Sequence, residues 1–91
     1  MYSIWYSAKF KKDIKRANKR GYNINKMEAV IELLASGTSM PAQYKDHALS
    51  GDWAGYRECH ITPDWLLIYM LEDDKLFLTL TRTGTHSDLF E

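Results

Sequence analysis

The residues best suited to chemistry are three histidines, each with polar or charged neighbours in the sequence. His47 lies in a segment without regular periodicity, His60 lies in a candidate strand, and His86 lies in a polar segment that follows the last candidate strand. Histidine has an unperturbed pKa of about 6.5, so its protonated and neutral forms are both available near neutral pH. The three imidazoles are therefore candidate acids and bases, although an isolated histidine more often has a structural role.

A carboxylate accompanies one of these histidines at a spacing of two residues. Side chains alternate between the two faces of a strand, so in Tyr56–Thr62 the residues Glu58 and His60 share one face, while Arg57 and Cys59 point to the other. A carboxylate and an imidazole that lie side by side on one face can exchange a proton. This pair is a candidate for acid–base catalysis.

Metal-free cleavage of an RNA phosphodiester is one reaction that these residue types could perform. It requires a base that removes the ribose 2′-hydroxyl proton, an acid that protonates the leaving 5′-oxygen, and cations on the phosphate. Arginine holds a phosphate through two parallel hydrogen bonds and remains charged. We therefore consider Arg82 and Arg57 as candidate phosphate ligands.

The single cysteine, Cys59, excludes an internal disulfide and fits a reducing cytoplasm. Adjacent strand residues point to opposite faces, so Cys59 and His60 cannot share one zinc ion. Its predicted side is apolar, where a thiol stays protonated and unreactive. We expect a buried cysteine, no metal centre and no cofactor.

The formal net charge of zero conceals a strong asymmetry along the chain. Residues 1–26 carry eight basic residues and one acidic residue, a charge of +7 (8 − 1), and the remainder carries −7 (4 − 11). A basic half indicates a polyanion or an acidic partner, or else a solvated helix face. The candidate RNA-binding residues of this half are Lys9, Lys11, Lys12, Lys15, Arg16, Lys19 and Arg20.

The first elements that must position these residues are a strand and two helices. Tyr2–Tyr6 is rich in aromatic and β-branched residues, which favours a strand, and Ser7 can cap a helix over residues 8–20. Gly21 is placed to end that helix. Asn25 and Glu28 have the spacing of a capping box and predict the start of a second helix. The apolar stripes of the two helices are Phe10, Ile14, Ala17, and Met27, Ile31, Leu34.

Three strands are predicted after an irregular connection over residues 38–53. They are Tyr56–Thr62, Trp65–Leu71 and Leu76–Arg82, and the middle one is apolar throughout, as expected for a strand covered on both faces. The order β-α-α-β-β-β predicts an α+β fold, with two helices packed on a mostly antiparallel sheet of about four strands. At 91 residues we expect one domain, 1–91, and no apolar run is long enough to span a bilayer.

Four segments together resemble the YafQ-type branch of the RelE/ParE toxin family. They are Tyr44–His47, Gly55–Ile61, Pro63–Tyr69 and Arg82–Phe90. The likeness keeps its order and spacing over nearly the whole chain, whereas the first 20 residues are compatible but less diagnostic. The resemblance implies a RelE-like fold and a cytoplasmic type II toxin, an endoribonuclease that cleaves mRNA in the A site of the 70S ribosome without a metal.

The resemblance also implies the active-site positions and the partners. A cognate antitoxin would hold the toxin inactive, DNA would be reached only through that antitoxin, and no membrane partner is implied. Aspartate stands at the position of Glu58 in the YafQ protein, so the glutamate keeps the charge and lengthens the side chain by one methylene. The catalytic positions that carry over are His47, Glu58, His60, Asp64, His86 and Phe90.

Several roles and two other functions remain open on the sequence alone. Glu58 or His60 is the expected base and His86 the acid, with Asp64 orienting a histidine. His47 and Arg82 would bind the phosphate, Phe90 would stack on a base, and the basic helix would grip ribosomal RNA. The alternatives are a ParE-like gyrase inhibitor and an inactive relic that still binds its antitoxin.

Overall fold

Residues 1–90 of the computed structural model form five strands, three α-helices and two short 3-10 helices. The 3-10 helices, Ala42–Tyr44 and Gly51–Trp53, lie in the connection between the second helix and the third strand. The longer elements, in chain order, are β1 (Ser3–Tyr6), α1 (Ala8–Lys19), α2 (Ile24–Ala35), β2 (His47–Ala48), β3 (Arg57–Thr62), β4 (Trp65–Glu72), β5 (Phe77–Gly84) and α3 (His86–Phe90).

The five strands form one sheet in the order β1-β5-β4-β3-β2. All neighbours are antiparallel except β1 and β5, which run parallel and pair Ser3 with Phe77 through Tyr6 with Leu80. The predicted α+β class, with two N-terminal helices on a mostly antiparallel sheet, is confirmed. The predicted number of about four strands is corrected to five, because β2 has only two residues and so produces no periodic pattern.

The helices α1 and α2 cover one face of the sheet and build the main core with it. Phe10 of α1 and Val30 of α2 are almost completely buried, together with Leu67, Tyr69 and Leu78 from the central strands. Their burial removes large apolar side chains from water, which is the main force that holds the helices on the sheet. None of the helices within residues 1–90 has the length and apolar character needed to cross a membrane.

Helix α1 begins and ends as its sequence predicts. The Ser7 hydroxyl accepts the backbone N–H of Phe10 at 2.9 Å, which satisfies one of the free donors of the first turn. Gly21 adopts a positive φ of 79°, and the N–H of Tyr22 then donates to the carbonyl of Ala17 at 3.1 Å. Glycine is suited to this left-handed position because it has no Cβ.

Helix α2 begins two residues earlier than predicted. Its N-cap is Asn23, whose side chain accepts the N–H of Asn25 at 3.1 Å, so the predicted capping box of Asn25 and Glu28 is wrong. Both asparagines suit an N-cap, and local sequence cannot choose between them. Tyr22 and Ile24 pack against the main core, which favours the earlier start.

The second face of the sheet is covered by α3 and by the segment before β3. Leu66 and Ile68 of β4 are buried there against Leu89 of α3, with Trp53 and Phe90 packed around them. This cover explains why β4 is apolar on both faces, as the sequence predicts. It also places α3, which the sequence analysis does not identify, beside the face of β3 that carries Glu58 and His60.

Candidate active site

The sheet brings His47, Glu58 and His60 together. Glu58 and His60 share a face of β3, as predicted, and β2 places His47 directly opposite Glu58 in the antiparallel register. His47 Nε2 lies 3.4 Å from Glu58 Oε1, and His60 Nε2 lies 3.8 Å from the same oxygen. The two-residue strand β2 therefore has a specific effect, since it docks a loop histidine onto the strand that carries the other two groups.

Backbone carbonyls fix the orientation of both imidazoles. His47 Nδ1 lies 2.8 Å from the carbonyl oxygen of Lys45, and His60 Nδ1 lies 3.3 Å from that of Pro63. A carbonyl can only accept a hydrogen bond, so the partners assign the proton of each ring to Nδ1. The Nε2 atoms are then the ones that face Glu58 and can take up or release a proton.

Glu58 is buried, with 6% of its surface exposed. A buried carboxylate needs polar partners, because removal of a charge from water is unfavourable. Its Oε1 has His47 and His60 as neighbours, whose own side chains are 49% and 25% exposed. The arrangement is an interior carboxylate that two more accessible imidazoles connect to the surface.

The short helix α3 presents His86 and Phe90. Thr85 and Asp88 cap it reciprocally: the Thr85 N–H donates to Asp88 Oδ2 at 2.9 Å, and the Asp88 N–H donates to Thr85 Oγ1 at 3.1 Å. His86 is exposed, and its ring centroid lies 4.9 Å from that of Phe90. Phe90 in turn contacts Trp53 edge to face at 6.1 Å, which anchors it in the second core.

An open cleft of about 680 Å³ separates β3 from α3. Its volume lies within the range of about 300–1,000 Å³ that small-molecule sites occupy. Four of the six predicted catalytic residues line it. The other two lie beside lining residues: His47 is next to Glu58, and Phe90 is next to His86. The lining residues are Tyr22, Glu58, His60, Pro63, Asp64, Leu66, Thr85, His86 and Ser87.

Arg82 lies on the same face of the sheet as Glu58, but its side chain is already bound to a carboxylate. Its Nε and Nη2 lie 2.7 and 3.0 Å from the carboxylate oxygens of Asp13, which is 3% exposed and also accepts the N–H of Thr83 at 3.1 Å. The hydrogen bonds to Asp13 raise the pKa of Arg82. Sequence analysis misses Asp13, although it is the only acidic residue of the basic segment and lies three residues after the buried Phe10.

Arg57 is not brought to the cleft. It points to the opposite face of β3 and its Nη2 lies 2.7 Å from Asp46 Oδ1, while the Tyr69 hydroxyl donates to the other oxygen of Asp46. Cys59, on that same face, is fully buried, and burial raises the pKa of its thiol to about 12. The predicted burial of the cysteine is confirmed, whereas the structure gives Arg57 a carboxylate partner instead of a position at the site.

The predicted RNA-binding residues of α1 separate into two groups. Arg16 contacts Asp13 and Asp88 at 3.2 and 3.0 Å, and Arg20 contacts Asp88 at 2.7 Å, so both arginines are paired with carboxylates of the protein itself. Within residues 1–90 the remaining basic side chains of α1 are exposed and make no ion pair. They are Lys9, Lys11, Lys12, Lys15 and Lys19.

Comparison with known proteins agrees with this fold and arrangement. A family model for the bacterial toxin YafQ of type II toxin–antitoxin systems matches residues 2–91. The mRNA interferase toxin YafQ of Escherichia coli strain K12 is 49% identical over 88 residues, which are 96% of this chain and 94% of that protein.

Solved structures give the same result. YafQ from E. coli strain BL21(DE3) is 46% identical, covers 100% of both chains and superposes with a TM-score of 0.93. A YafQ chain in an E. coli DinJ–YafQ complex is also 46% identical over 100% of both chains, with a TM-score of 0.91. On the family match and these identities, the chain belongs to the YafQ family of bacterial toxins of type II toxin–antitoxin systems.

Proposed function

We propose that this toxin is an endoribonuclease that cleaves mRNA by general acid–base catalysis in the cleft between β3 and α3. The observation that carries the proposal is the buried carboxylate of Glu58, with His47 and His60 beside it and His86 across the same cleft. The name of the E. coli relative, mRNA interferase, supports the same activity. Two opposed sets of proton donors and acceptors are what phosphodiester cleavage requires.

The proposed base lies on β3 and the proposed acid on α3. Glu58 or His60 removes the proton of the 2′-hydroxyl, which then attacks the phosphorus and forms a 2′,3′-cyclic phosphate. His86 donates a proton to the 5′-oxygen as the bond to phosphorus breaks. Asp64 lies at the turn on the β3 side of the cleft, where its carboxylate can orient an imidazole.

The phosphate and the nucleobase of the RNA contact different residues in this proposal. His47 is the more exposed partner of Glu58 and supplies a cation when protonated. Arg82 would attract the phosphate less strongly than a free arginine, because Asp13 offsets its charge. Its proposed role is to orient the phosphate. The Phe90 ring borders His86 and can stack on the base next to the cleaved bond.

We further propose that cleavage takes place in the ribosomal A site and that a cognate antitoxin blocks it. The exposed lysines of α1 can bind ribosomal RNA phosphates without regard to sequence. The E. coli relative forms a complex with DinJ. An antitoxin that covers α1 would stop ribosome binding, and one that covers the cleft would stop catalysis.

The test is cleavage of mRNA by the purified protein with and without 70S ribosomes, read by sequencing of transcript 5′ ends. His60→Ala and His86→Ala should each lower the rate by about a hundredfold, which is typical for loss of a general acid or base. Where free RNA is cleaved without ribosomes, added EDTA should leave the rate unchanged, because the proposed mechanism uses no metal. Wild-type rates in both histidine variants would overturn the proposal, and inhibition of gyrase without RNA cleavage would favour a ParE-like activity.

A further inference from the structure

Helix α3 has little of its own to keep it in place. It has five residues, its first turn begins with a hydrogen bond from the Leu89 N–H to the Thr85 carbonyl at 3.2 Å, and it has one buried side chain, Leu89. Isolated helices of this length are unstable, because the first turn fixes several residues for very few hydrogen bonds. The position of His86 and Phe90 must therefore depend on contacts between α3 and the rest of the protein.

Asp88 makes several of these contacts. Its carboxylate accepts two hydrogen bonds from Arg20, from Nη1 at 2.7 Å and Nη2 at 3.1 Å, and lies 3.0 Å from Arg16 Nη1. The same carboxylate accepts the N–H of Thr85, and its side chain is only 12% exposed. One side chain thus caps α3 and joins it to Arg16 of α1 and to Arg20, the C-cap of that helix.

The backbone of Gly84 packs closely against the Asp88 side chain. A Cβ at Gly84 would lie 2.9 Å from Asp88 Oδ2 and 3.0 Å from Asp88 Cβ, which is closer than side chains normally approach. Arg16 also contacts Asp13, the partner of Arg82, so the same group of ions reaches β5. The cluster of Asp13, Arg16, Arg20, Arg82 and Asp88 is continuous from α1 to β5 and to α3, which flanks the cleft.

We propose that Arg16, Arg20 and Asp88 are positioning residues for catalysis: the two guanidinium groups fix Asp88, and Asp88 fixes the helix that presents His86 and Phe90. The inference rests on the proposed ribonuclease activity. It gives two residues of the basic helix a role different from the phosphate binding that their charge suggests. Arg20 acts through Asp88, whereas the exposed lysines of the same helix act on the RNA.

The sharpest test uses the geometry of the Arg20 side chain. A guanidinium binds both oxygens of a carboxylate at once, whereas an ammonium is a single point charge that still binds phosphate. Arg20→Lys and Arg20→Gln should therefore lower kcat by a similar factor, about tenfold, with little change in KM. Asp88→Asn should lower kcat by about a hundredfold, as expected when a catalytic group is displaced by roughly 1 Å.

The double variant shows whether Arg20 acts through Asp88. Residues that act through one contact have non-additive effects, so Arg20→Gln should cause no further loss in the Asp88→Asn protein. Lys19→Gln is the matched control on the same helix: it should raise KM, more so at high salt, and its effect should add to that of Asp88→Asn. Additive loss for Arg20→Gln, or wild-type kcat in Arg20→Lys, would overturn the proposal.

Amide hydrogen exchange gives a readout that does not need RNA. Arg20→Gln and Asp88→Asn should speed exchange at Leu89 and its neighbours in α3 while the amides of β4 stay protected, which separates a local release from general destabilisation. Unchanged α3 exchange in both variants would also overturn the proposal. If wild-type protein and its His86→Ala variant both fail to cleave RNA, the proposed function falls, and the exchange data still decide whether the cluster holds α3.

Discussion

Glu58 is the central residue of the proposed active site, since its buried oxygen lies near both His47 and His60. The spacing of Glu58 and His60 is sufficient to predict their shared face, because side chains on a strand alternate strictly. The contact with His47 is a different matter. It depends on how an irregular loop docks on β3, and no local pattern specifies that.

Replacement of the charge at Glu58 should disable the site without changing its shape. Glu58→Gln should lower RNA cleavage by about a hundredfold, because the amide can neither take up a proton nor stabilise a protonated imidazole. Glu58→Asp should keep most of the activity, since it retains the carboxylate and shortens it by one methylene. Single-turnover cleavage rates of the two variants provide the measurement, and a Gln variant as fast as wild type would show that Glu58 is not the base and does not support one.

Cys59 should make the folded protein less stable at high pH. Burial raises the pKa of its thiol to about 12 from 9.0, so between these values the folded state keeps a proton that the unfolded state loses. The stability that the protonated thiol contributes is therefore complete below pH 9 and falls as the pH rises towards 12. Urea unfolding at pH 8 and pH 10 measures the change, and Cys59→Ala should show a smaller decrease between the two pH values than wild type does.

The elements that carry the site differ greatly in how far sequence predicts them. Helix α1 and strands β3 to β5 follow from hydrophobic periodicity, caps and turn residues, with ends within two residues of those expected. β2 and α3 do not, because two and five residues are too few for a period to be visible. The signal for α3 is present in the sequence as Thr85 and Asp88, an N-cap with a carboxylate three residues later.

Gly84 should be required for the docking of α3. Gly84→Ala places a methyl group 2.9 Å from Asp88 Oδ2, so the carboxylate must move away from Arg20 or from Thr85. We expect a loss of activity of about tenfold or more and a less protected α3, with β4 unaffected. Gly51→Ala serves as the control, because Gly51 has a positive φ of 63°, as Gly84 has one of 157°, but no atom of residues 1–90 lies within 4 Å of its added Cβ. Equal activities of the two variants would contradict this account.

At the scale of the whole molecule, only part of the excess positive charge in residues 1–26 is available to a partner. Arg16 and Arg20 neutralise Asp13 and Asp88, so the arginines that look like phosphate ligands serve the fold. Composition cannot reveal this, since Asp88 is remote from both arginines in the sequence and becomes their neighbour only in three dimensions. The resemblance to YafQ-type toxins, in contrast, could be identified from four motifs and their order, and it is confirmed.

The lysines of α1 should govern the salt dependence of ribosome binding. Each phosphate contact that is lost should reduce the slope of log K against log salt by about 0.7 to 0.9. We expect Lys11→Gln, Lys15→Gln and Lys19→Gln together to reduce the slope by about 2 at unchanged fold. Lys75→Gln is the control, because Lys75 is exposed and lies 3.5 Å from Glu72, away from α1. A slope that the triple variant leaves unchanged removes α1 from the binding surface.

The parallel pairing of β1 with β5 has a consequence for the cell that produces this toxin. Tyr6 finds its neighbour only once Leu80 has been synthesised, and the histidine and phenylalanine of the last helix come later still. A nascent polypeptide therefore lacks both a complete sheet and a complete catalytic centre. Until residues 80–90 have been added, a growing chain should be unable to carry out the proposed cleavage.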